Sequence, residues 1–368
     1  MTATFEIFMT ATPGLEQALL DEALENGFAG ATLTQGGVTV MGHWPDVWRA
    51  NLVMRGATRV LARIGSFMAF HLAQLDKRAR KFPWGEVLRT DVPLRVEVAT
   101  NKKSKIYHAG AATQRIETAL KESGYQISAE AALALKVRID DNRVTISIDT
   151  SGESLHKRGF KEAVSKAPMR ETLASLMLRQ CGYIGTEPVL DPMCGSGTFV
   201  IEAAEIAAGL HPGRGRSFAF EQLASFDADA WQQMRQMGEI THPTGPRFYG
   251  SDRDAGATRM ASANAERAGV APMTEFATHD IRELQRPDGP PGLIICNPPY
   301  GARIGNQKML YGVYAGLGEV LKERFTGWRV GIVTSDASLA QATKLPFQPK
   351  GPAIPHGGLK VWLFQAKL

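Results

Sequence analysis

The chain of 368 residues carries 42 Lys and Arg against 37 Asp and Glu, a formal net charge of +5, with 44% hydrophobic and 21% charged residues. This length and composition describe an ordinary globular protein with room for two or three domains, and exclude a disordered or fibrous one. Its three cysteines, Cys181, Cys194 and Cys296, are widely spaced and form neither a disulfide framework nor a zinc pattern, so no metal is expected. No apolar run approaches a membrane span. The first cation is Arg49, so no basic secretory start is expected, and a reducing cytoplasm is the expected location.

Residues 1–65 contain a strand at Phe5–Met9, a helix from about Gly14 to Asn26 and a strand at Gly37–Val40. That mix resembles a ferredoxin-like α+β unit. Residues 66–152 hold alternating strands, Leu94–Val98 and Val144–Ile148, around a helix near Ala111 to Ser123. Charge is unevenly shared. Residues 1–48 carry six acids and no Lys or Arg, residues 49–170 carry 23 Lys and Arg against 12 acids, and residues 171–368 carry 19 of each. A basic stretch of this kind is the footprint of phosphate binding, with a solvated surface as the alternative. Within it, Lys102, Lys103, Lys105, Tyr107 and His108 make a cationic segment with an aromatic, suited to an RNA end or backbone. Residues 153–175 read as a junction and lead-in helix, and residues 176–368 as a further domain.

That last domain opens with Glu187–Leu190 as a short apolar strand closed by Asp191. Gly195-Ser196-Gly197-Thr198 follows, and then a helix with apolar spacing from Phe199 to Ala208. Strand, glycine turn and helix form the first unit of a doubly wound α/β sheet, whose ligands sit outside the carboxyl ends of the strands. Gly195 and Gly197 permit backbone angles that a Cβ forbids and let the chain approach a ligand. A bare glycine turn is equally a tight connection. The acid before it tips the balance: Asp191 suits a ligand bearing an ammonium group and suits a pyrophosphate badly. Residues 209–246, with Pro212, Arg214, Arg216 and Trp231, read as an insertion, either a substrate-side flap or a solvated connection.

Arg247–Asp252 reads as a second strand and Ala255–Ala268 as its helix. Asp252 can accept hydrogen bonds from ribose hydroxyls, or cap the helix. Thr274–Asp280 reads as a third strand, with Asp280 either an adenine acceptor or a turn acid. Gly292–Cys296 is a continuous apolar run, as in a buried parallel strand, and it delivers Asn297-Pro298-Pro299-Tyr300. An exocyclic amine conjugated to a ring is a poor nucleophile. The Asn297 carboxamide oxygen and the adjacent backbone carbonyl can take its two N–H groups and aim the lone pair at a methyl donor. Pro298 and Pro299, with fixed φ and no N–H, hold that carbonyl, and Tyr300 can stack on the base. Positioning then carries most of the acceleration. A helix at Met309–Phe325, a strand at Trp328–Thr334 and a closing strand at Leu359–Phe364 complete the pattern.

These two motifs resemble motifs I and IV of class I S-adenosylmethionine-dependent amino-methyltransferases. Ser151–Phe160 followed by Ala167–Ala174, with Asn51–Leu61 and Ser104–His108, resembles the THUMP-domain RNA guanine-N2 methyltransferases, and within them the bacterial 23S ribosomal RNA branch. The resemblance covers essentially the whole chain. It implies a ferredoxin-like domain over 1–65, a THUMP RNA-binding domain over 66–152 and a Rossmann-like catalytic domain over 176–368 with a closing antiparallel strand. It also implies S-adenosylmethionine as cofactor, held by Asp191, Gly195, Gly197, Thr198, Asp252, Asp280 and Asn297. Catalysis falls to Asn297, Pro298 and Tyr300, and RNA is the partner. Ala302 stands where the family pattern has an acid, leaving the partners of Arg303 open. Alternatives within the same chemistry are a tRNA guanine-N2 enzyme, a DNA adenine enzyme or a release-factor glutamine methyltransferase. Outside it stand a non-catalytic RNA-binding module and a nicotinamide-dependent oxidoreductase.

Overall fold

A computed structural model describes residues 4–162, 169–236, 247–301 and 307–368. Ala302, Arg303 and the Ala167-Pro168 part of the junction motif lie outside the described residues. The first 155 residues supply seven strands: β1 (Phe5–Thr10), β2 (Thr32–Thr34), β3 (Gly37–Gly42), β4 (Arg59–Met68), β5 (Leu94–Thr100), β6 (Leu133–Asp140) and β7 (Arg143–Asp149). They also supply helices α1 (Glu16–Glu25), α2 (Trp44–Val53), α3 (Leu72–Arg80) and α4 (Ala109–Glu122). The seven strands form one sheet in the order β2-β3-β1-β4-β7-β6-β5.

Strand β4 makes that continuity possible. Over ten residues it pairs antiparallel with β1 on one side and with β7 on the other, with a bulge between Arg63 and Gly65 that re-aims the strand between its two partners. The boundary expected at residue 65 therefore falls inside a strand, and the two predicted N-terminal segments share a sheet. The Asn51–Leu61 segment stitches this unit together. Asn51 donates to Thr150 Oγ1 (2.9 Å) and accepts from Ser151 Oγ (2.7 Å), both fully buried. Arg59 Nη1 reaches the buried Asp149 carboxylate at 2.6 Å.

The chain then builds the lead-in helix α5 (Glu171–Gln180), β8 (Val189–Asp191) and α6 (Thr198–Ala207). It next returns to the first unit: residues 216–237 cluster with 1–11 and 20–155, whereas 12–19, 156–215 and 238–368 make the second unit. The returning segment includes α7 (Ala228–Gln236). Trp231, 4% exposed, meets Phe220 edge-on at 5.0 Å, and Phe218 and Phe220 stack at 5.2 Å. Phe220 in turn lies 6.1 Å from Trp48 of α2. Arg216 donates to the carbonyls of Ser151, Glu153 and Ser154 at 2.8 to 3.1 Å. Neither expectation for the 209–246 stretch, flap or solvated connection, describes this part of it; large aromatic area drives it into a core.

The second unit continues with β9 (Phe248–Asp252), α8 (Ala255–Ala268), β10 (Thr274–Thr278), β11 (Leu293–Cys296), α9 (Gln307–Arg324), β12 (Arg329–Thr334), α10 (Ala337–Ala342), β13 (Ile354–His356) and β14 (Leu359–Lys367). Its sheet order is β10-β9-β8-β11-β12-β14-β13. The first five strands in that order pair in parallel, and β14 pairs antiparallel with both β12 and β13. This is the doubly wound Rossmann-like sheet expected, with its reversed closing strand. All four residues of β11 are buried, as a central parallel strand requires. The apolar layer of α9 with Trp328 and Phe325 packs below it. Among the described residues no helix is long and apolar enough to cross a membrane.

Candidate active site

Four strand ends of the second unit converge on one cavity of about 590 Å³. Asp191 ends β8, Asp252 ends β9, His279-Asp280-Ile281 follow β10, and Asn297–Tyr300 follow β11; all line the cavity with Gly195, Thr198, Met169 and Met309. A cavity at the carboxyl edge, where the chain order reverses between β8 and β11, is where an open α/β sheet binds ligands. Of the residues singled out in the sequence for cofactor or catalysis, only Gly197 lies off its wall.

Gly197 has a different task. Its φ of +82° puts it in the left-handed region as the N-cap of α6. A Cβ there would stand 3.0 Å from the Cβ of Ala261 on α8. It is the close approach of two helices, rather than of a ligand, that keeps this position bare. Gly195, at φ +51°, does face the cavity, and its N–H donates to Asp252 Oδ2 at 3.1 Å.

The two leading acids differ. Asp191 is 2% exposed and accepts only the Met193 N–H, at 3.0 Å, among the described residues. Burial pushes its carboxyl well above the ordinary carboxylate range, the Met193 bond opposes this, and the Asp252 charge adds to it. It is a buried acid with no cation beside it in the described chain, and so it fits a ligand ammonium. Asp252 is half-buried and shared between the N–H groups of Gly195 and Asp254 (3.0 Å). Each carboxylate oxygen retains acceptor capacity toward the cavity. Asp280 accepts the Arg282 N–H at 3.1 Å as an N-cap while lining the same wall. The turn-acid alternative is thus present, and the residue also lines the cavity.

Asn297 stands on the same wall, just past β11. Its Oδ1 is buried and has no hydrogen-bond partner among the described residues. Such an orphan costs about 1–3 kcal/mol, and the oxygen has acceptor capacity left for a donor. Burial pushes the Tyr300 phenol up to about 12, with a hydrogen bond from the Asn297 side chain opposing it. The phenol is therefore neutral at physiological pH. Cys194 and Cys296 are buried free thiols, held well above their usual pKa by burial; they are the apolar fillers expected.

Several wall residues were not singled out in the sequence. Met309, 61% exposed, and Val313 stand one turn apart on α9, and Arg253 and His279 flank the strand-end acids. Residues adjacent to a strand-end acid, and the i, i+4 pair following the Asn-Pro-Pro-Tyr loop, would have pointed to them. The RNA candidates lie in the other unit, on the loop between β5 and α4. Lys102, Lys103, Lys105, Tyr107 and His108 are all exposed, while Ser104 and Ile106 between them are buried. Ser104 Oγ donates to Ile139 O at 3.3 Å, and the Lys105 N–H donates to Asn142 Oδ1 at 2.8 Å. The loop is pinned at alternate residues and presents its cations outward.

The RMKL-like methyltransferase domain family matches residues 158–348, and the RlmL ferredoxin-like domain matches residues 6–61. The chain belongs to the RMKL-like methyltransferase family. A relative from Synechocystis sp., named "Putative RNA methyltransferase", is 30% identical over 98% of this chain and 96% of its own. The "Ribosomal RNA large subunit methyltransferase K/L" of Syntrophotalea carbinolica is 35% identical over 93% of this chain. This chain spans about half the length of that relative, 50%. Among solved structures, SMU.472, a "putative methyltransferase complexed with SAH", superposes with a TM-score of 0.88 at 25% identity, covering 100% of this chain and 99% of the other. The family model spans every residue of the cavity at the β8, β9 and β11 ends.

Proposed function

We propose that this chain transfers a methyl group from S-adenosylmethionine to the exocyclic N2 amine of a guanine in RNA, with 23S ribosomal RNA as the substrate. The observation that carries the chemistry is the Asn297 Oδ1, without a partner among the described residues, on the same wall as the strand-end acids. The bound cofactor supplies an electrophilic methyl on a sulfonium whose leaving group is a neutral thioether. Asp191 receives the amino-acid ammonium, Asp252 the ribose hydroxyls, and Asp280 the adenine amino group. Asn297 Oδ1 accepts one N–H of the target amine and holds its lone pair toward the methyl, while Pro298, buried in the loop, keeps the adjoining carbonyl fixed for the other N–H. Tyr300 stacks on the base. Since Tyr300 stays protonated and Asn297 does not titrate, the site works by placement of acceptors. Mass spectrometry of nucleosides after incubation with 23S rRNA, tRNA and duplex DNA tests the assignment. N2-methylguanosine in 23S rRNA is expected; N6-methyladenine, or N2-methylguanosine in tRNA alone, would replace it.

The names of the relatives support RNA as the partner, and so does the surplus of cations between residues 49 and 170. We assign RNA docking to residues 66–152 as a THUMP domain, with Lys102, Lys103 and Lys105 on phosphates and Tyr107 and His108 on an exposed base or end. Their rings are 4.8 Å apart. Neutralising the three lysines together should flatten the salt dependence of RNA binding by ~2 units of log-log slope if each meets one phosphate on a single strand, with SAH binding unchanged. An unaltered slope and RNA affinity would make the loop a solvated face.

A further inference from the structure

Lys161 belongs by sequence to the basic stretch, yet its side chain is only 10% exposed. Its Nζ donates to Thr198 Oγ1 at 2.8 Å and to the Met169 carbonyl at 3.0 Å, and lies 3.2 Å from Glu171 Oε1. Two of its three donors are thus used in hydrogen bonds, and the Glu171 carboxylate sits at ion-pair distance. Two of the three partners, Met169 and Thr198, line the cavity. The Thr198 hydroxyl also donates to the Met169 carbonyl, at 3.4 Å. A buried lysine with a buried carboxylate contributes little net stability, and apolar side chains of the same size would pack at least as well. What this arrangement provides is direction: one group fixes a backbone carbonyl and the first turn of α6 against each other.

The preceding residue makes a second tie. The Phe160 carbonyl accepts from Arg267 Nε at 2.7 Å, Arg267 Nη2 donates to Asn264 Oδ1 at 2.5 Å, and Asn264, fully buried on α8, donates to the Ser196 carbonyl at 3.1 Å. Ser196 also lines the cavity. Consecutive junction residues thus hold the glycine turn at Ser196 and at Thr198.

We propose that Lys161 is a positioning residue of the methyltransferase site, setting the Met169 and Thr198 wall against which the cofactor is held. The proposal rests on the cofactor reading above. It removes Lys161 from the cations available to RNA.

The experiment is SAH titration by calorimetry. Lys161→Met keeps the apolar stem and deletes the donors, but leaves Glu171, 5% exposed at its side chain, without its cation, so Lys161→Met/Glu171→Gln is measured as well. SAH affinity should fall on the order of 10-fold or more in the folded variants, the scale of one charged hydrogen bond, with RNA affinity unchanged. Thr198→Val should weaken SAH in the parent and weaken it less in the Lys161→Met/Glu171→Gln background, because the two act through one contact. A double variant that binds SAH like the parent overturns the role, as do effects of Thr198→Val that multiply independently. Unchanged affinity in Thr198→Val alone overturns it even if the lysine variants do not fold. A parent that binds no SAH defeats the cofactor reading and this proposal together.

Discussion

Asn297→Ala should lose turnover by ~100-fold or more while SAH affinity stays within about twofold of the parent. The expected size follows from what is removed. Oδ1 is the one buried acceptor lining the cavity that nothing among the described residues satisfies, and under the proposed function its partner is the incoming amine. It orients that amine in the transition state rather than holding the donor, and a contact of that kind shows in kcat. In the free protein the substitution removes both the orphan oxygen and the hydrogen bond to Tyr300, so the loss of turnover is read on folded variant. Single-turnover methylation with saturating cofactor is the measurement. Turnover at a third of the parent rate would strip Asn297 of this role. Tyr300→Phe should be milder than Tyr300→Ala, because burial holds the phenol near 12 and leaves the ring as the working part.

Trp231→Ala should destabilise the first unit by about 3–5 kcal/mol, the cost of truncating a buried tryptophan. It should leave SAH affinity untouched. The side chain is 4% exposed, edge-on to Phe220 at 5.0 Å and to Phe218 at 5.8 Å, and Phe220 continues the cluster to Phe226 and Trp48. Urea unfolding followed by a first-unit probe measures the loss. RNA affinity should fall with the folded fraction of that unit. If unfolding were unaltered and only kcat fell, residues 216–236 would be acting on substrate as a flap, and the aromatic cluster would be incidental.

The element pattern of the second unit was legible because each strand carries its own signal. The Leu293–Cys296 run is apolar on both faces, as a strand covered on both sides must be, and each site acid stands where its strand ends. Asp191, Asp252, Asp280 and Asn297 are scattered over more than a hundred residues of sequence, yet parallel strands with crossover helices bring every carboxyl end to one edge. Any chain with this element order places those residues together. The closing strand at Leu359–Phe364 and the lysine loop at 102–105 were likewise within reach of local pattern, while the antiparallel sense of that strand was implied by the family resemblance.

What only tertiary structure decided concerns residues whose local signal fits two places. Gly197 has the same spacing whether it clears a ligand or a helix; the 3.0 Å approach of Ala261 is a contact between elements 64 positions apart. Lys161 is one cation among 23 between residues 49 and 170, and its burial depends on where Met169, Glu171 and Thr198 lie. Phe218, Phe220 and Trp231 announce a core without naming which one, because apolar burial has no direction and accepts any surface that excludes water. Sequence by itself determined most parallel strands of the second unit and the residue types at their ends, both of which are set by neighbours along the chain. The return of residues 216–236 to the first unit, and the two junction ties to the glycine turn, follow from contacts between segments distant in sequence, which no local pattern encodes.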